Sequence, residues 1–200
     1  MAMHILYLHG FRSSPNSAKA IATAKAVVAR DSQVTWLCPA LPPSPRQAMA
    51  EVLQSVQHWP RESMAVIGSS LGGFYATWLA ERLGCKAVLL NPAVRPARYL
   101  IDHIGEHAQW HDPEQHFFFD ASYLDELLVQ EVVQITQPER YFAVIAKGDE
   151  VLDWREMADH YQGARIKLLP GSDHAISDYV EHHLNDVLNF VYPVIRDPQE

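Results

Sequence analysis

Residues 64–83 read MAVIGSSLGGFYATWLAERL, an apolar run followed by a turn rich in glycine and serine and then by a second apolar stretch. Residues 64–67 have the length and composition of a buried strand. Residues 74–83 predict a helix, and Gly84 follows where helices often end on a residue with positive φ. This segment therefore predicts a strand, a sharp turn and a helix.

The same alternation of strand and helix continues on both sides of this segment. Further strands are predicted at residues 5–8, 34–38, 87–90, 141–146 and 165–169. Helices are predicted at residues 17–30, 46–58, 154–161 and 176–191. Strands this short and apolar indicate burial on both faces, because a strand with one solvated face alternates polar and apolar residues. The pattern predicts an α/β fold with a mostly parallel sheet of about six strands and helices on both faces.

The chain length of 200 residues fits one domain over residues 1–200. Residues 92–138 interrupt the strand rhythm and are rich in histidine, aromatic and acidic residues. We interpret them as a small helical insertion over the carboxyl edge of the sheet, where a lid or cap would lie.

Composition excludes several classes of partner. The formal net charge is -8 and the basic residues are scattered, so we expect no nucleic-acid partner. No apolar stretch reaches the roughly 18 residues that a membrane span needs, so we expect no membrane partner. The beginning of the chain lacks a signal-peptide pattern, and two cysteines, Cys38 and Cys85, are too few for a disulfide framework, which favours a cytoplasmic location.

Ser70 is the predicted nucleophile. With Gly68 and Gly72 it forms the Gly-x-Ser-x-Gly pattern, in which a sharp strand-to-helix turn lifts the serine oxygen above a sheet. Glycines are needed because the serine adopts strained backbone geometry where strand and helix approach closely. The neighbouring Ser69 has no glycine at either corresponding position.

His174 is the predicted base. It lies in the loop after the last predicted strand, at the same sheet edge as Ser70, whereas most other histidines fall in helices. The third member must orient the imidazole, and Asp149 fits best because it follows the strand at 141–146. Glu150, Asp153 and Asp173 are alternatives at this point.

Two backbone N–H groups are predicted to form an oxyanion hole. The first belongs to Leu71, directly after the nucleophile and at the start of a helix. The second is assigned to Phe11, in the loop that follows the first strand.

Several motifs together resemble one family. These are YLHGF at 7–11, GSSLGGFYA at 68–76, NPA at 91–93, GDEVLD at 148–153 and GSDH at 171–174. The chain is similar to the YqiA/YcfP-type esterases over nearly its whole length, least so within 92–138. The resemblance implies an α/β-hydrolase fold, a triad at Ser70, Asp149 and His174, and activity on short acyl chains, with acyl-CoA thioesters as a further substrate class.

Two features of the insertion invite other interpretations. His103, His107 and His111 are spaced for one helix face and His116 follows, but no cysteine accompanies them and a serine triad needs no metal. We interpret them as a solvated lid face and expect no metal or cofactor.

The aromatic residues of the insertion are expected to form its core. Among them, Trp110, Phe118 and Tyr123 are predicted to line the acyl site.

Three functions remain open at this stage. The first is hydrolysis of a small-molecule acyl ester, and the second is acyl-CoA thioester hydrolysis or acyl transfer, against which the acidic charge argues. The third is a binding protein on a hydrolase fold, which ordinarily lacks a member of the triad. Oligomeric state is left open.

Overall fold

Parallel strands form the centre of the fold. The structure is a computed structural model and describes residues 2–110 and 112–192. The strands are β1 (His4–Leu8), β2 (Thr35–Leu37), β3 (Met64–Ser69), β4 (Lys86–Leu90), β5 (Gly105–Ala108), β6 (His116–Phe119), β7 (Tyr141–Ala146) and β8 (Arg165–Leu169). Six of them make one sheet in the order β2-β1-β3-β4-β7-β8, in which each neighbouring pair is parallel. The predicted fold class is confirmed.

Helices cover both faces of this sheet. They are α1 (Ala18–Arg30), α2 (Pro45–Ser55), α3 (Leu71–Leu83), α4 (Pro96–Leu100), α5 (Ser122–Val129), α6 (Trp154–His160), α7 (Tyr179–His182) and α8 (Leu184–Val191). In the part of the chain that the structure describes, no helix is long and apolar enough to cross a membrane.

Two apolar cores lie on opposite faces of the sheet. Leu6 and Leu8 of β1 point into the core formed with α2, α3 and α6, and Ile5 and Tyr7 point into the core formed with α1, α7 and α8. All four side chains are fully buried, because successive residues of a strand face opposite sides and both sides are covered. Burial of each of the three aliphatic side chains contributes about 1.5 to 3 kcal/mol.

The last helical region is shorter than predicted. A continuous helix was predicted over residues 176–191, but α7 begins only at Tyr179, and His183 separates it from α8. Ile176 has a φ of 48° and its N–H donates to the carbonyl of Asp173, so this residue belongs to a turn.

The insertion over residues 92–138, which was predicted to be helical, contains the short helices α4 and α5 and a hairpin. β5 and β6 pair antiparallel and form a separate two-stranded sheet. The run of three phenylalanines in β6 alternates in environment, since Phe118 is 58% exposed and Phe119 is buried. That alternation has the period of a strand.

Parallel strand order brings the loops of the predicted site to one edge. The register pairs Leu8 with Gly68 and Ser69 with Leu90, so β1, β3 and β4 end at the same level. The loops that follow these strands, and those after β7 and β8, therefore meet at the carboxyl edge of the sheet.

Candidate active site

Ser70 occupies the turn between β3 and α3, with φ 55° and ψ -121°. A positive φ is unfavourable for a residue that carries a Cβ, so neighbouring structure must hold it. The Ser70 N–H donates to the carbonyl of Leu90, and the Ser70 carbonyl accepts from the N–H of Ala93, each at 3.0 Å. The end of β4 and the loop that follows it thus hold the serine turn.

Gly68 and Gly72 provide the space for this turn. A Cβ on Gly68 would lie 2.1 Å from the carbonyl oxygen of Gly72, and a Cβ on Gly72 would lie 2.0 Å from that of Leu8. These distances are far inside van der Waals contact, so strand and helix can meet here only through glycine. Ser69, the alternative serine, is the last residue of β3 and is buried.

The structure brings Ser70, His174 and Asp149 together. His174 Nε2 lies 3.0 Å from Ser70 Oγ, and His174 Nδ1 lies 2.8 Å from Asp149 Oδ2. The Asp149 side chain is fully buried, whereas that of His174 is 22% exposed. Because an ionised carboxylate only accepts, we assign the proton to Nδ1, which leaves Nε2 able to accept from the Ser70 hydroxyl.

The second oxygen of Asp149 is also engaged. Oδ1 accepts the backbone N–H groups of Val151 and Leu152, each at 2.8 Å. Two donors on one oxygen and the imidazole on the other compensate a buried charge and fix the plane of the carboxylate.

The three alternative carboxylates make different contacts. Glu150 accepts the backbone N–H of His174 at 3.0 Å, and Asp153 caps the first turn of α6. Asp173 accepts the hydroxyl and the backbone N–H of Ser177, which hold the pKa of Asp173 below its ordinary value. Each of these groups therefore has a structural partner away from the imidazole ring.

Asn91 fixes the position of the loop that carries His174. This residue is fully buried, has a φ of 42° and directly follows β4. Its Oδ1 accepts the N–H of Ala146 at 2.7 Å, and its Nδ2 donates to the carbonyls of Asp173 at 3.0 Å and His174 at 3.1 Å. Sequence analysis included Asn91 in a motif but assigned it no role.

Lys19 of α1 approaches the same loop from the other side. Its ammonium group donates to the carbonyl of Ala175. Desolvation lowers the pKa of Lys19 to about 8, and the carboxylates of Asp173 and Asp149 partly oppose this shift. The first helix thus contributes to the support of the histidine loop, a role that no local sequence pattern signals.

The loop after β1, residues 9–13, lies against the serine, and we call it the oxyanion loop after the role predicted for its Phe11 N–H. A Cβ on Gly10 would lie 3.2 Å from Ser70 Cβ and 3.7 Å from Ser70 Oγ. Phe11 follows in this loop, and Leu71 is the first residue of α3, whose N–H has no partner within the helix. Both predicted oxyanion donors therefore belong to segments that adjoin the Ser70 side chain.

A cavity of about 100 Å³ lies beside the oxyanion loop. Apolar side chains make up much of its wall, among them Phe11, Leu71, Tyr75, Phe117 and Phe119. The cavity is thus bounded by the sheet edge on one side and by the hairpin of the insertion on the other.

Three aromatic residues that were predicted to line the acyl site are placed outside the wall of this cavity. Trp110 and Phe118 are 65% and 58% exposed, and Tyr123 packs against Phe119 with ring centroids 5.5 Å apart. Phe117 and Phe119 line the cavity. Phe117 and Phe119 share this face because alternate side chains of a strand point the same way, and three consecutive phenylalanines show no alternation in sequence from which this could be inferred.

The histidines of the insertion do not share a helix face. His103 lies in a short 3₁₀ turn, and His107 and His116 lie on the hairpin, while His111 is outside the described residues. His103 and His107 pack against the ring of Phe11. Residues 2–110 and 112–192 contain no cluster of three or more side chains suited to hold a metal ion.

A larger cavity, of about 340 Å³, is lined by residues that follow β4, by the end of the insertion and by α6. Arg95 and Glu156 in its wall form an ion pair at 3.3 Å. Ser70, Asp149 and His174 are not among the residues that line this cavity, and they are not among those that line the smaller cavity.

Comparison with known proteins places the chain among α/β hydrolases in fold. The model of an uncharacterised protein family (UPF0227) matches residues 4–192. A putative hydrolase from Agrobacterium vitis S4 is 16% identical, with a TM-score of 0.74 over 96% of this chain and 88% of that chain.

Two further solved structures share the fold. Est1E from Butyrivibrio proteoclasticus is 16% identical, with a TM-score of 0.69 over 94% of this chain and 86% of that chain. Alpha/beta hydrolase domain-containing protein 10 from mouse is also 16% identical, with a TM-score of 0.68 over 94% and 90% of the two chains. At identities this low, the TM-scores show a shared fold and nothing about function.

Proposed function

Because the chain belongs to the uncharacterised protein family UPF0227, the YqiA/YcfP family, and has the fold of α/β hydrolases, we propose that it is a serine carboxylesterase for short- to medium-chain acyl esters. The observation that carries the proposal is the continuous hydrogen-bond chain from Ser70 Oγ through His174 to a buried Asp149. Such a series of hydrogen bonds is the arrangement that activates a serine hydroxyl as a nucleophile.

Acylation begins when Ser70 Oγ attacks the acyl carbon of the ester. His174 Nε2 takes the hydroxyl proton, and Asp149 stabilises the imidazolium that forms. The tetrahedral intermediate then collapses, the bond to the leaving oxygen breaks, and His174 returns the proton to that oxygen so that the alcohol departs. Ser70 is left as an acyl ester.

Deacylation repeats these steps with water. His174 takes a proton from the water as its oxygen attacks the acyl carbon, and then gives that proton to Ser70 Oγ when the acid leaves. In both intermediates the oxyanion would accept the N–H groups of Leu71 and Phe11, and one such donor is worth about 3 to 4 kcal/mol in a serine protease. The proposed cycle requires no metal or cofactor.

The proposal is tested with p-nitrophenyl esters from acetate to palmitate. We expect hydrolysis by the wild-type protein and a loss of roughly 10³-fold or more in kcat for Ser70→Ala, with Ser69→Ala as the matched control that retains activity. A fluorophosphonate should label the wild type and Ser69→Ala but not Ser70→Ala. Equal background rates in all three proteins would contradict the proposal.

A further inference from the structure

Arg12 joins the oxyanion loop to the hairpin of the insertion. Its Nε donates to the carbonyl of Ala108 at 2.9 Å, its own carbonyl accepts the N–H of Trp110 at 2.9 Å, and its guanidinium carbon lies 4.1 Å from the centre of the Trp110 ring. The φ of Arg12 is 59°, a backbone geometry that neighbouring structure must hold. Three contacts therefore connect residues that are about a hundred positions apart in the chain.

The ring of Phe11, the preceding residue, is enclosed by the same insertion. It packs against His103, His107, Phe117 and Phe119, with centroid distances of 5.7, 5.3, 5.6 and 5.5 Å. All four partners belong to the hairpin or to the turn just before it. The insertion thus holds the two residues that directly follow this peptide, Phe11 through its ring and Arg12 through its side chain and carbonyl.

Two of the three contacts of Arg12, the donation from Nε and the stacking on Trp110, need the guanidinium group. None of the ion pairs among residues 2–110 and 112–192 involves Arg12, so its role there is not that of a charge partner. A planar guanidinium can donate through Nε and stack on an indole at the same time, which a lysine ammonium cannot do.

We propose that Arg12 is a positioning residue that orients the Phe11 N–H in the oxyanion hole by fastening the oxyanion loop to the β5–β6 hairpin. The inference rests on the proposed function, because it assigns a catalytic purpose to that N–H. Without the fastening, the oxyanion loop is free to shift. The transition state then loses stabilisation that the bound ester does not need, so kcat falls more than KM rises.

The test compares Arg12→Lys with Arg82→Lys. Arg82 is a matched control because its guanidinium carbon also stacks on an indole, 4.8 Å from the Trp78 ring centre, but on α3. For Arg12→Lys we expect kcat on p-nitrophenyl butyrate to fall about 10- to 100-fold with KM within about threefold. Binding of a trifluoromethyl ketone, which forms an oxyanion, should weaken by the same factor, whereas the matching methyl ketone should bind unchanged.

A second pair of measurements isolates the connection itself. Trp110→Ala should lower kcat in the same direction, and the double variant Arg12→Lys/Trp110→Ala should lose little more than the worse single variant, because both remove one fastening. Hydrogen exchange of residues 9–13 should become faster in Arg12→Lys and stay unchanged in Arg82→Lys, whether or not any ester is hydrolysed.

Two results would overturn the inference. The first is an unchanged exchange rate of residues 9–13 in Arg12→Lys, which counts against it independently of activity. The second is a raised KM at constant kcat, which would make Arg12 a substrate-binding residue. An inactive wild type with faster loop exchange in Arg12→Lys would instead refute the proposed function while leaving the fastening established.

Discussion

At the scale of single residues, the two oxygens of Asp149 have separate partners. Oδ2 faces His174 Nδ1, and Oδ1 accepts the N–H groups of Val151 and Leu152. An asparagine at this position keeps an acceptor for the two N–H groups and therefore turns its NH₂ group toward the imidazole. That contact favours the tautomer with the proton on Nε2, which cannot accept from Ser70.

We therefore expect Asp149→Asn to lower kcat about 10³- to 10⁴-fold at neutral pH while the protein stays folded. The measurement is steady-state hydrolysis of p-nitrophenyl butyrate together with circular dichroism. Asp173→Asn is the control, since Asp173 contacts Ser177, and it should retain kcat within about threefold. Comparable losses of kcat in both variants would contradict the role of Asp149 in orienting His174.

At the scale of elements, the contact between α3 and β1 has no room for a side chain. The hydrogen of Gly72 occupies the place where a Cβ would lie 2.0 Å from the carbonyl oxygen of Leu8. The helix approaches the strand this closely because the serine turn is so sharp. Packing at this point, and not backbone freedom, is what requires glycine.

Gly72→Ala should accordingly lower the free energy of unfolding by about 3 kcal/mol or more, because the backbone of β1 or α3 must move. Gly171→Ala is the matched control, since a Cβ there meets nothing within 4 Å, and its effect should stay within about 1 kcal/mol. Urea unfolding of both variants measures the difference. Similar stabilities would show that the turn can relax at little cost.

At the scale of the whole molecule, the cavity beside the oxyanion loop exists only where the insertion meets the sheet. Phe117 lines it from the hairpin, while Phe118, the next residue, is 58% exposed on the other face. On the proposal that this cavity holds the acyl chain, Phe117→Ala should enlarge it and favour longer acyl chains. Because one methylene is worth about 1 to 3 kcal/mol, the ratio of kcat/KM for octanoate over butyrate should rise about tenfold or more.

Phe118→Ala provides the comparison for this experiment. It removes the same number of atoms from the same strand, so the octanoate-to-butyrate ratio should stay within about twofold of wild type. The ratio also cancels any general loss of kcat that follows from the contact of Phe117 with Phe11. A change of the octanoate-to-butyrate ratio in Phe118→Ala alone would contradict this expectation and would place Phe118, as the sequence predicted, in the acyl site.

The sequence by itself determined the features that depend on residues close together in the chain. The sequence predicted the apolar strands of the sheet and the need for Gly68 and Gly72 at the serine turn. It also predicted the order in which Ser70, Asp149 and His174 follow their strands. These features can be recognised from the sequence because burial on both faces and the steric demand of a sharp turn each constrain a short stretch of consecutive residues. The six-stranded parallel sheet confirms the predicted fold class.

Only the tertiary structure decided which distant residues support the site. Asn91 reaches the carbonyl of His174 across 83 positions, Lys19 reaches Ala175 across 156, and Arg12 reaches Ala108 across 96. No local periodicity records such contacts, because they exist only when the strand ends and the insertion pack at one edge. The same packing places Phe117 and Phe119 in the wall of the cavity beside the oxyanion loop.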